Sequence, residues 1–208
     1  MEPKTENMGF IGMNNTAISL LPHDGEAIYY PSDLLPLSNP SWLDILTDSI
    51  AWSNDTVKMF GKTLTLNRKS AWYGDSGAAY SYSGIRREPL QWTEELLIIK
   101  KSCEEVSNAT FNSVLCNYYH DGKDGMGWHC DDERELGKEP IIASVSFGAE
   151  RIFAFKHRNS KERINIRLEH GSMLIMRGQT QHSWQHALPK STIVHEPRIN
   201  LTFRNILM

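Results

Sequence analysis

The chain from Asn112 onward is patterned as a series of short strands. Polar and apolar residues alternate through residues 143–147, 163–168 and 198–204, and such alternation is typical of strands with one buried face. Turns rich in glycine, proline or charged residues separate these segments. The pattern predicts an antiparallel barrel or double sheet, and a jelly-roll core fits best if helices cover one sheet.

Two helices are predicted before these strands. The first follows a capping-box-like start at Ser41, and the second begins near Thr93 with two glutamates in its first turn, where the helix dipole favours acidic residues. Apolar residues recur at helical spacing in both segments, at Trp42, Ile45, Leu46 and Ile50 in the first and at Leu96, Ile99, Cys103 and Val106 in the second. Both apolar faces are expected to pack on the core.

The N-terminal half contains a tail and a segment suited to nucleic acid. Residues 1–15 are polar and aperiodic, so a flexible tail is expected before a single domain at 16–208. Residues 57–64 predict a hairpin that turns at Gly61. Basic and aromatic residues then interleave through 68–75 and 80–84, as on surfaces that grip phosphates and stack bases. The alternative is an aromatic-rich cover over a sheet.

Composition narrows the class of protein. The 208 residues are 40% hydrophobic and 23% charged, with a net charge of -3, which is ordinary for a soluble globular domain. We find no apolar run near the roughly 18 residues of a membrane span and no signal-peptide pattern. Three cysteines argue against a disulfide framework and favour a reducing, intracellular compartment. The negative charge excludes a generally basic coat protein but not a local basic face.

A candidate metal-binding triplet lies within residues 128–133. In an extended backbone His129 and Asp131 face one side while Cys130 faces the other. An imidazole and a carboxylate are two of the three ligands of the facial triad of non-haem Fe(II) enzymes, which leaves positions open for a co-substrate and oxygen. The third ligand must come from later in the chain.

Two later histidines are candidates for that third ligand. His182 and His186 are spaced as in a zinc-protease helix, but Ser183 stands where that motif needs glutamate as a general base. We therefore exclude the protease. His186, just before residues 187–189, is the predicted ligand, and His182 is the alternative.

The last predicted strand carries two arginines on one face. That face also has Asn200 and Thr202, whereas Ile199, Leu201 and Phe203 share the other. If the apolar face packs under a helix, Arg198 and Arg204 point into the barrel, where guanidinium groups are costly without anions. Their planar forks would suit both ends of a short diacid. An edge strand with solvated arginines is the alternative.

These segments, together with Asn117-Tyr118-Tyr119, resemble the AlkB family of Fe(II)- and 2-oxoglutarate-dependent dioxygenases from about Val57 to the C-terminus. The resemblance implies a mostly β fold with flanking helices, in which a double-stranded β-helix core at about 110–208 lies beneath a nucleotide-recognition lid at about 52–90. It implies Fe(II) on His129, Asp131 and His186, with O2 as the oxidant and Arg204 also in the catalytic set. It implies 2-oxoglutarate on Asn117, Tyr119, Arg198, Asn200, Thr202 and Arg204.

The closest likeness is to the branch that repairs alkylated bases in duplex DNA. It implies oxidative demethylation of 1-methyladenine and 3-methylcytosine, with formaldehyde released. The implied substrate-binding residues are Phe60, Gly61, Lys62, Arg68, Tyr80, Ser81, Tyr82, Asp132 and Glu133. This branch carries a basic cluster between the later metal-binding histidine and the last strand. In this sequence the cluster is reduced to Lys190, which removes positive charge that would bind the phosphates of duplex DNA.

Several alternatives to this reading stay open. The same core could act on single-stranded DNA or RNA, or hydroxylate a protein or small molecule, and a non-catalytic nucleic-acid-binding barrel is the candidate from another class. The expected partner is alkylated DNA, with no membrane association. The chain is expected to be a monomer, cytoplasmic if bacterial and nuclear if eukaryotic.

Overall fold

The structure, a computed structural model, describes residues 16–59, 62–78, 80–82 and 85–207. Within these ranges it gives the backbone alone for residues 55–59, 62–64, 66, 80–82 and 85–87. The predicted tail at 1–15 and the hairpin residues Phe60 and Gly61 lie outside the described residues. None of the helices in the described ranges combines the length and apolar character needed to span a bilayer.

Strands dominate the described part of the chain. In chain order they are β1 (Ile18–Ser19), β2 (Glu26–Tyr30), β3 (Ser53–Met59), β4 (Lys62–Gly74), β5 (Tyr80–Tyr82), β6 (Ile85–Arg87), β7 (Ser113–Tyr119), β8 (Met126–His129), β9 (Ile142–Gly148), β10 (Arg151–His157), β11 (Arg163–Leu168), β12 (Met173–Arg177), β13 (Trp184–Leu188) and β14 (Arg198–Arg204). The helices are α1 (Trp42–Ser49), α2 (Glu94–Ser107) and α3 (Thr180–Ser183), and 3-10 turns span Ser32–Leu34 and Arg134–Leu136.

These strands form two principal sheets. The larger has the order β1-β2-β12-β9-β14-β7-β4-β3, the smaller has the order β11-β10-β13-β8, and β5 and β6 pair separately. The pairings in both principal sheets are antiparallel. One apolar cluster joins Ile142 and Leu174 of the larger sheet to Phe155, Leu168 and Trp184 of the smaller. The sheets therefore face each other across a shared core, and the predicted jelly roll is confirmed.

Helices α1 and α2 cover the outer face of the larger sheet. Leu46 of α1 and Ile99 of α2 are fully buried in a cluster with Val145, Leu201 and Phe203 of the sheet. Burying a side chain of this size contributes roughly 1.5–3 kcal/mol, so this layer is a main source of stability. The apolar face predicted for the last strand is thus packed under helices.

The two helix starts differ from each other. Thr93 caps α2 as predicted, because its Oγ1 accepts the backbone N–H of Leu96 at 3.3 Å. Ser41 precedes α1 but has helical backbone angles and makes no side-chain capping bond, so the capping-box prediction there is wrong. Ile45, predicted on the packed face of α1, is 38% exposed.

Strand pairing determines which of the predicted functional side chains lie close together. Strand β14 lies between β9 and β7, which excludes the edge-strand alternative for its arginines. In the smaller sheet His186 lies directly opposite His129. The backbones of β3 and β4 pair Met59 with Lys62, so the predicted hairpin is confirmed up to its turn.

Candidate active site

A cavity opens between the two sheets. Its empty volume, including the part open to solvent, is about 580 Å³. Every residue predicted to hold the metal or 2-oxoglutarate lines it, and the polar lining is Asn117, Tyr119, His129, Asp131, Ser144, His186, Arg198, Asn200, Thr202 and Arg204. Residues from both sheets therefore converge on one cavity, which also has an apolar lining.

Three potential metal ligands meet at one wall of the cavity. One ligand atom each from His129, Asp131 and His186 lies within 4.8 Å of the other two. The Nε2 atom of His186 is 3.8 Å from the Oδ2 atom of Asp131, and the two imidazole rings are 4.3 Å apart between centroids. His182 is not part of this group, since its Nε2 donates to the carbonyl oxygen of Lys138. The structure thus brings together the predicted three and not the alternative.

The two imidazole rings are oriented in different ways. The Nδ1 atom of His129 is 2.8 Å from the carbonyl oxygen of Gly127. A carbonyl can only accept, so Nδ1 carries a proton, and Nε2 is the nitrogen that could bind a metal. The ring of His186 instead stacks on Phe153 at 5.4 Å, and its buried Nδ1 has no hydrogen-bond partner within the described residues.

Asp131 is buried in its ionised form. Burial alone would raise the pKa of its carboxyl group, but the charge of Arg204, followed by His186 and His129, lowers that pKa below its ordinary value. The Nη2 atom of Arg204 donates to Oδ1 of Asp131 at 2.7 Å. The second carboxylate oxygen, Oδ2, is the one that faces His186.

His186 is held neutral in the folded protein. Burial, together with the nearby His129 and Arg204, lowers the pKa of its imidazole to about 3, against a smaller opposite effect of Asp131. At neutral pH protons therefore do not compete with a metal for this nitrogen. Two imidazoles and one carboxylate form the donor set that non-haem Fe(II) takes, so these residues could hold Fe(II).

A buried cation lies at the far end of the same cavity wall. Arg198 is 2% exposed and donates to Ser146 Oγ at 2.9 Å, with its guanidinium 5.5 Å from the centre of the Tyr119 ring. Burial lowers the pKa of Arg198 to about 10, with Tyr119 opposing and Arg151 adding to the shift. It is still charged at neutral pH, and no carboxylate of the described residues forms an ion pair with it. This end of the cavity therefore suits an anion.

A small amide and hydroxyl network separates the two arginines. The side-chain amide of Asn200 donates to Ser144 Oγ at 2.8 Å and to the carbonyl of Val145 at 3.0 Å, and it accepts from Thr202 Oγ1 at 3.2 Å. Asn117 has a buried Oδ1 without a hydrogen-bond partner in the described part of the chain. The network fixes the side chains of Asn200 and Thr202 between the arginines. Asn117, which also lines the cavity, adds an acceptor.

The predicted substrate-binding residues are described less completely. For Lys62, Tyr80, Ser81 and Tyr82 the structure gives only the backbone. Arg68 is 5% exposed and contacts the sulfur of Met126 at 3.2 Å, so its guanidinium lies beside the cavity and not on an exposed basic surface. Asp132 is exposed and pairs with Arg158 at 3.2 Å, and Glu133 is half-buried.

One residue at the site was missed from the sequence. Gln181 of α3 is 1% exposed, and its Oε1 accepts the backbone N–H of Asp131 at 2.9 Å. Its Nε2 donates to the sulfur of Met176, which lines the cavity, at 3.7 Å. The amide of Gln181 therefore fixes the backbone that carries the central carboxylate, and no sequence spacing relates positions this far apart.

We expect Gln181→Met to weaken Fe(II) binding by roughly 10- to 100-fold, the usual cost of losing an outer partner of a metal ligand. Methionine has nearly the same volume but cannot accept the N–H of Asp131. Iron affinity measured by anaerobic competition with a chelator checks this, with Gln179→Met at an exposed neighbouring position as the control. Equal affinities in the two variants would contradict a positioning role.

Comparison with known proteins shows the family. The family model of the 2OG-Fe(II) oxygenase superfamily matches residues 27–204. The mouse alpha-ketoglutarate-dependent dioxygenase alkB homolog 3 is 39% identical over 200 residues, covering 91% of this chain and 69% of that protein. The mouse DNA oxidative demethylase ALKBH2 is 45% identical over 159 residues, covering 73% of this chain and 66% of that protein.

A human relative and a solved structure agree with these matches. The human DNA oxidative demethylase ALKBH2 is 44% identical over 160 residues, with 73% of this chain and 61% of that protein covered. The chain thus spans about two thirds of the length of these relatives. The solved structure of OsALKBH1 superposes with a TM-score of 0.61 at 17% identity, over 89% of this chain and 99% of that one, and supports the fold alone. The chain belongs to the 2OG-Fe(II) oxygenase superfamily and, within it, to the AlkB family of dioxygenases that use Fe(II), 2-oxoglutarate and O2.

Proposed function

We propose that this dioxygenase is a DNA repair enzyme that removes methyl groups from the ring nitrogens of 1-methyladenine and 3-methylcytosine. The observation that carries the proposal is the convergence of His129, Asp131 and His186 in the cavity of a chain that is 45% identical to a protein named a DNA oxidative demethylase. Duplex DNA is the substrate we favour.

The proposed roles follow the geometry of the cavity. His129, Asp131 and His186 hold Fe(II), because they supply two imidazoles and an ionised carboxylate within 4.8 Å of one another. Arg204 keeps Asp131 ionised and also lines the cavity, so it serves the end of 2-oxoglutarate nearest the metal. Arg198 serves the distant carboxylate, because its charge is buried without a carboxylate partner in the described residues.

The remaining proposed contacts to 2-oxoglutarate come from neutral groups. Tyr119 lies against the guanidinium of Arg198, and Asn117, Asn200 and Thr202 line the same wall. The internal bonds of Asn200 hold Thr202 in place. Such fixed polar groups position a bound diacid without a cost of reorganisation when it binds.

When bound, Fe(II) would supply the oxidative chemistry, in which one oxygen atom of O2 would enter succinate as 2-oxoglutarate loses carbon dioxide and the other would hydroxylate the N-methyl group, which would leave as formaldehyde. The protein binds and orients the reactants and excludes water. The apolar part of the cavity lining, which includes Met126, Phe153 and Leu188, serves this last role.

The positive charge of the methylated base is complementary to acidic residues that follow Asp131 in the chain. A methyl group on N1 of adenine or N3 of cytosine makes the base cationic and blocks its pairing edge, so extrusion from a duplex costs less. Asp132 and Glu133 directly follow the metal-binding carboxylate and supply negative charge next to the site. An aromatic partner such as Tyr82 would stack on the cationic ring.

The duplex part of the proposal rests on the resemblance of Phe60-Gly61-Lys62 to a finger hairpin that fills the gap left by an extruded base. The antiparallel pairing of β3 and β4 on both sides of these residues supports it. Single-stranded DNA is the second candidate, and a specific feature favours it. Between β13 and β14 the chain carries only Lys190 as a basic side chain apart from His195, and Ile193 there is 84% exposed.

The test is iron- and 2-oxoglutarate-dependent formaldehyde release from oligonucleotides that carry 1-methyladenine or 3-methylcytosine. We expect one formaldehyde per succinate, with faster release from duplex than from single strands, and none from unmethylated oligonucleotides. No release from any methylated oligonucleotide, with succinate formed instead on methylated peptides, would overturn the function. Release from single strands alone would overturn only the duplex preference.

A further inference from the structure

A second cluster of metal-binding side chains lies outside the cavity. The Oδ2 atom of Asp24 is 3.1 Å from Nδ1 of His23 and 3.3 Å from Nε2 of His157. One ligand atom from each residue lies within 4.8 Å of the other two. His23 and Asp24 are in the turn between β1 and β2, and His157 ends β10, so distant segments meet here.

The spacing of these atoms fits a four-coordinate ion. Zinc binds imidazole nitrogen at roughly 2.0–2.1 Å and carboxylate oxygen at roughly 2.0–2.2 Å, so tetrahedral ligand atoms are about 3.3–3.5 Å apart. The observed separations of 3.1 and 3.3 Å are close to this range. We propose that His23, Asp24 and His157 form a second site for a divalent transition metal of the Zn²⁺ class, distinct from the iron site.

The outer contact of His23 supports this assignment, whereas His157 must change its tautomer. The Nε2 atom of His23 is 3.1 Å from the carboxylate of Glu162, a partner that holds the proton on Nε2 and leaves Nδ1 for a metal. The Nδ1 atom of His157 is 2.9 Å from Ser160 Oγ and accepts the backbone N–H of Ser160 at 3.1 Å. Because Nδ1 accepts this N–H, the ring proton is on Nε2, so a metal at Nε2 has to displace that proton to Nδ1 and break the bond from the N–H of Ser160, after which the hydroxyl of Ser160 accepts from Nδ1.

The surrounding turn is fixed before any metal binds. Asp24 has a left-handed backbone with φ of 53°, and a Cβ on the following Gly25 would lie 2.9 Å from the Cα of Thr180. The indole N–H of Trp184 donates to the carbonyl oxygen of His23 at 3.0 Å. The aspartate is therefore presented from a left-handed backbone, which the surrounding packing holds.

The cluster connects the larger sheet to the smaller one near the iron site. Trp184 pairs with His157 across the strands and lies two positions before His186 on β13. Its ring lies 4.9 Å from that of His157 and 5.7 Å from that of His23. A metal here would join the turn between β1 and β2 to β10, the strand that pairs with the one that carries His186. Because His23 and Asp24 are 44% and 59% exposed, solvent can complete the coordination.

The test measures how many zinc ions the full chain, without an affinity tag, binds in equilibrium dialysis followed by metal analysis. We expect two equivalents in the wild type, since zinc also occupies the iron site, and one equivalent in His23→Ala and in Asp24→Asn. Asparagine tolerates the left-handed backbone at position 24, so this variant is expected to fold. His195→Ala removes an exposed histidine elsewhere and is expected to retain two equivalents.

Metal content separates the possible outcomes. A single equivalent in the wild type that His23→Ala retains, or two equivalents in His23→Ala and Asp24→Asn, would overturn the second site. The proposal would also fail if both variants lowered the melting temperature without any loss of zinc, since protons and hydrogen bonds would then hold the cluster. Loss of zinc in Asp131→Ala but not in His23→Ala would assign all binding to the cavity.

Discussion

Asp131→Ala is expected to abolish succinate formation and to release iron from the protein. The carboxylate is one of three proposed ligands, is buried, and is kept ionised by Arg204 at 2.7 Å. Loss of a direct ligand should cost more than the roughly 10- to 100-fold that an outer partner contributes. Iron content after gel filtration and succinate yield with 2-oxoglutarate check this prediction.

The neighbouring acid supplies the control for this prediction. Asp132→Ala removes a carboxylate one position along the chain that is half exposed and paired with Arg158 instead of the cavity residues. This variant is expected to keep its iron. If Asp131→Ala retained iron and turnover while remaining folded, the assignment of the metal to this cavity would be wrong.

Arg198→Met is expected to raise the KM for 2-oxoglutarate by roughly 10- to 150-fold. A hydrogen-bonded contact to a charged group is worth about 1.5–3 kcal/mol, and each 1.4 kcal/mol is about tenfold in affinity. The maximal rate at saturating 2-oxoglutarate should change less, because Arg204 and not Arg198 contacts Asp131. Steady-state succinate formation over a range of 2-oxoglutarate concentrations separates the two parameters.

This variant is expected to fold, because no carboxylate of the described residues is left without its partner when Arg198 is replaced. Arg167→Met is the control, since that exposed arginine pairs with Glu150 outside the cavity. An unchanged KM in Arg198→Met would show that the guanidinium does not bind the co-substrate. A fall in the maximal rate alone would assign it to the chemistry.

Predictions from the sequence were most accurate for the side-chain directions within a single strand. The alternation through residues 198–204 separates Arg198 and Arg204 from Leu201, and both faces lie where the alternation placed them, because the side chains of a strand must alternate. The same rule predicted that Cys130 faces the opposite side from His129 and Asp131. Its sulfur contacts Arg158, which is not among the residues that line the cavity.

Long-range pairing was much harder to predict. His182 and His186 could not be separated by spacing, because a short helix ends at Ser183 and a strand begins at Trp184, so the apparent helical spacing spans two elements. Only the register of β13 against β8 places His186 opposite His129. No local pattern in a sequence carries that register.

Burial of single polar residues was also not predictable. Arg68 is in a basic and aromatic stretch, but strand β4 continues into the larger sheet and carries this side chain to the interior. Gln181 has no sequence signature, because its role depends on the backbone of Asp131 fifty residues earlier. Tertiary contacts decide these positions.

The most direct test is a crystal structure of the protein with Mn²⁺ in place of iron and with 2-oxoglutarate, in which anomalous scattering locates the ion. We predict a manganese ion bound by His129, Asp131 and His186, with the distant carboxylate of 2-oxoglutarate on Arg198. An ion bound elsewhere while this cavity contains only water, or a diacid that leaves Arg198 without contact, would contradict the account.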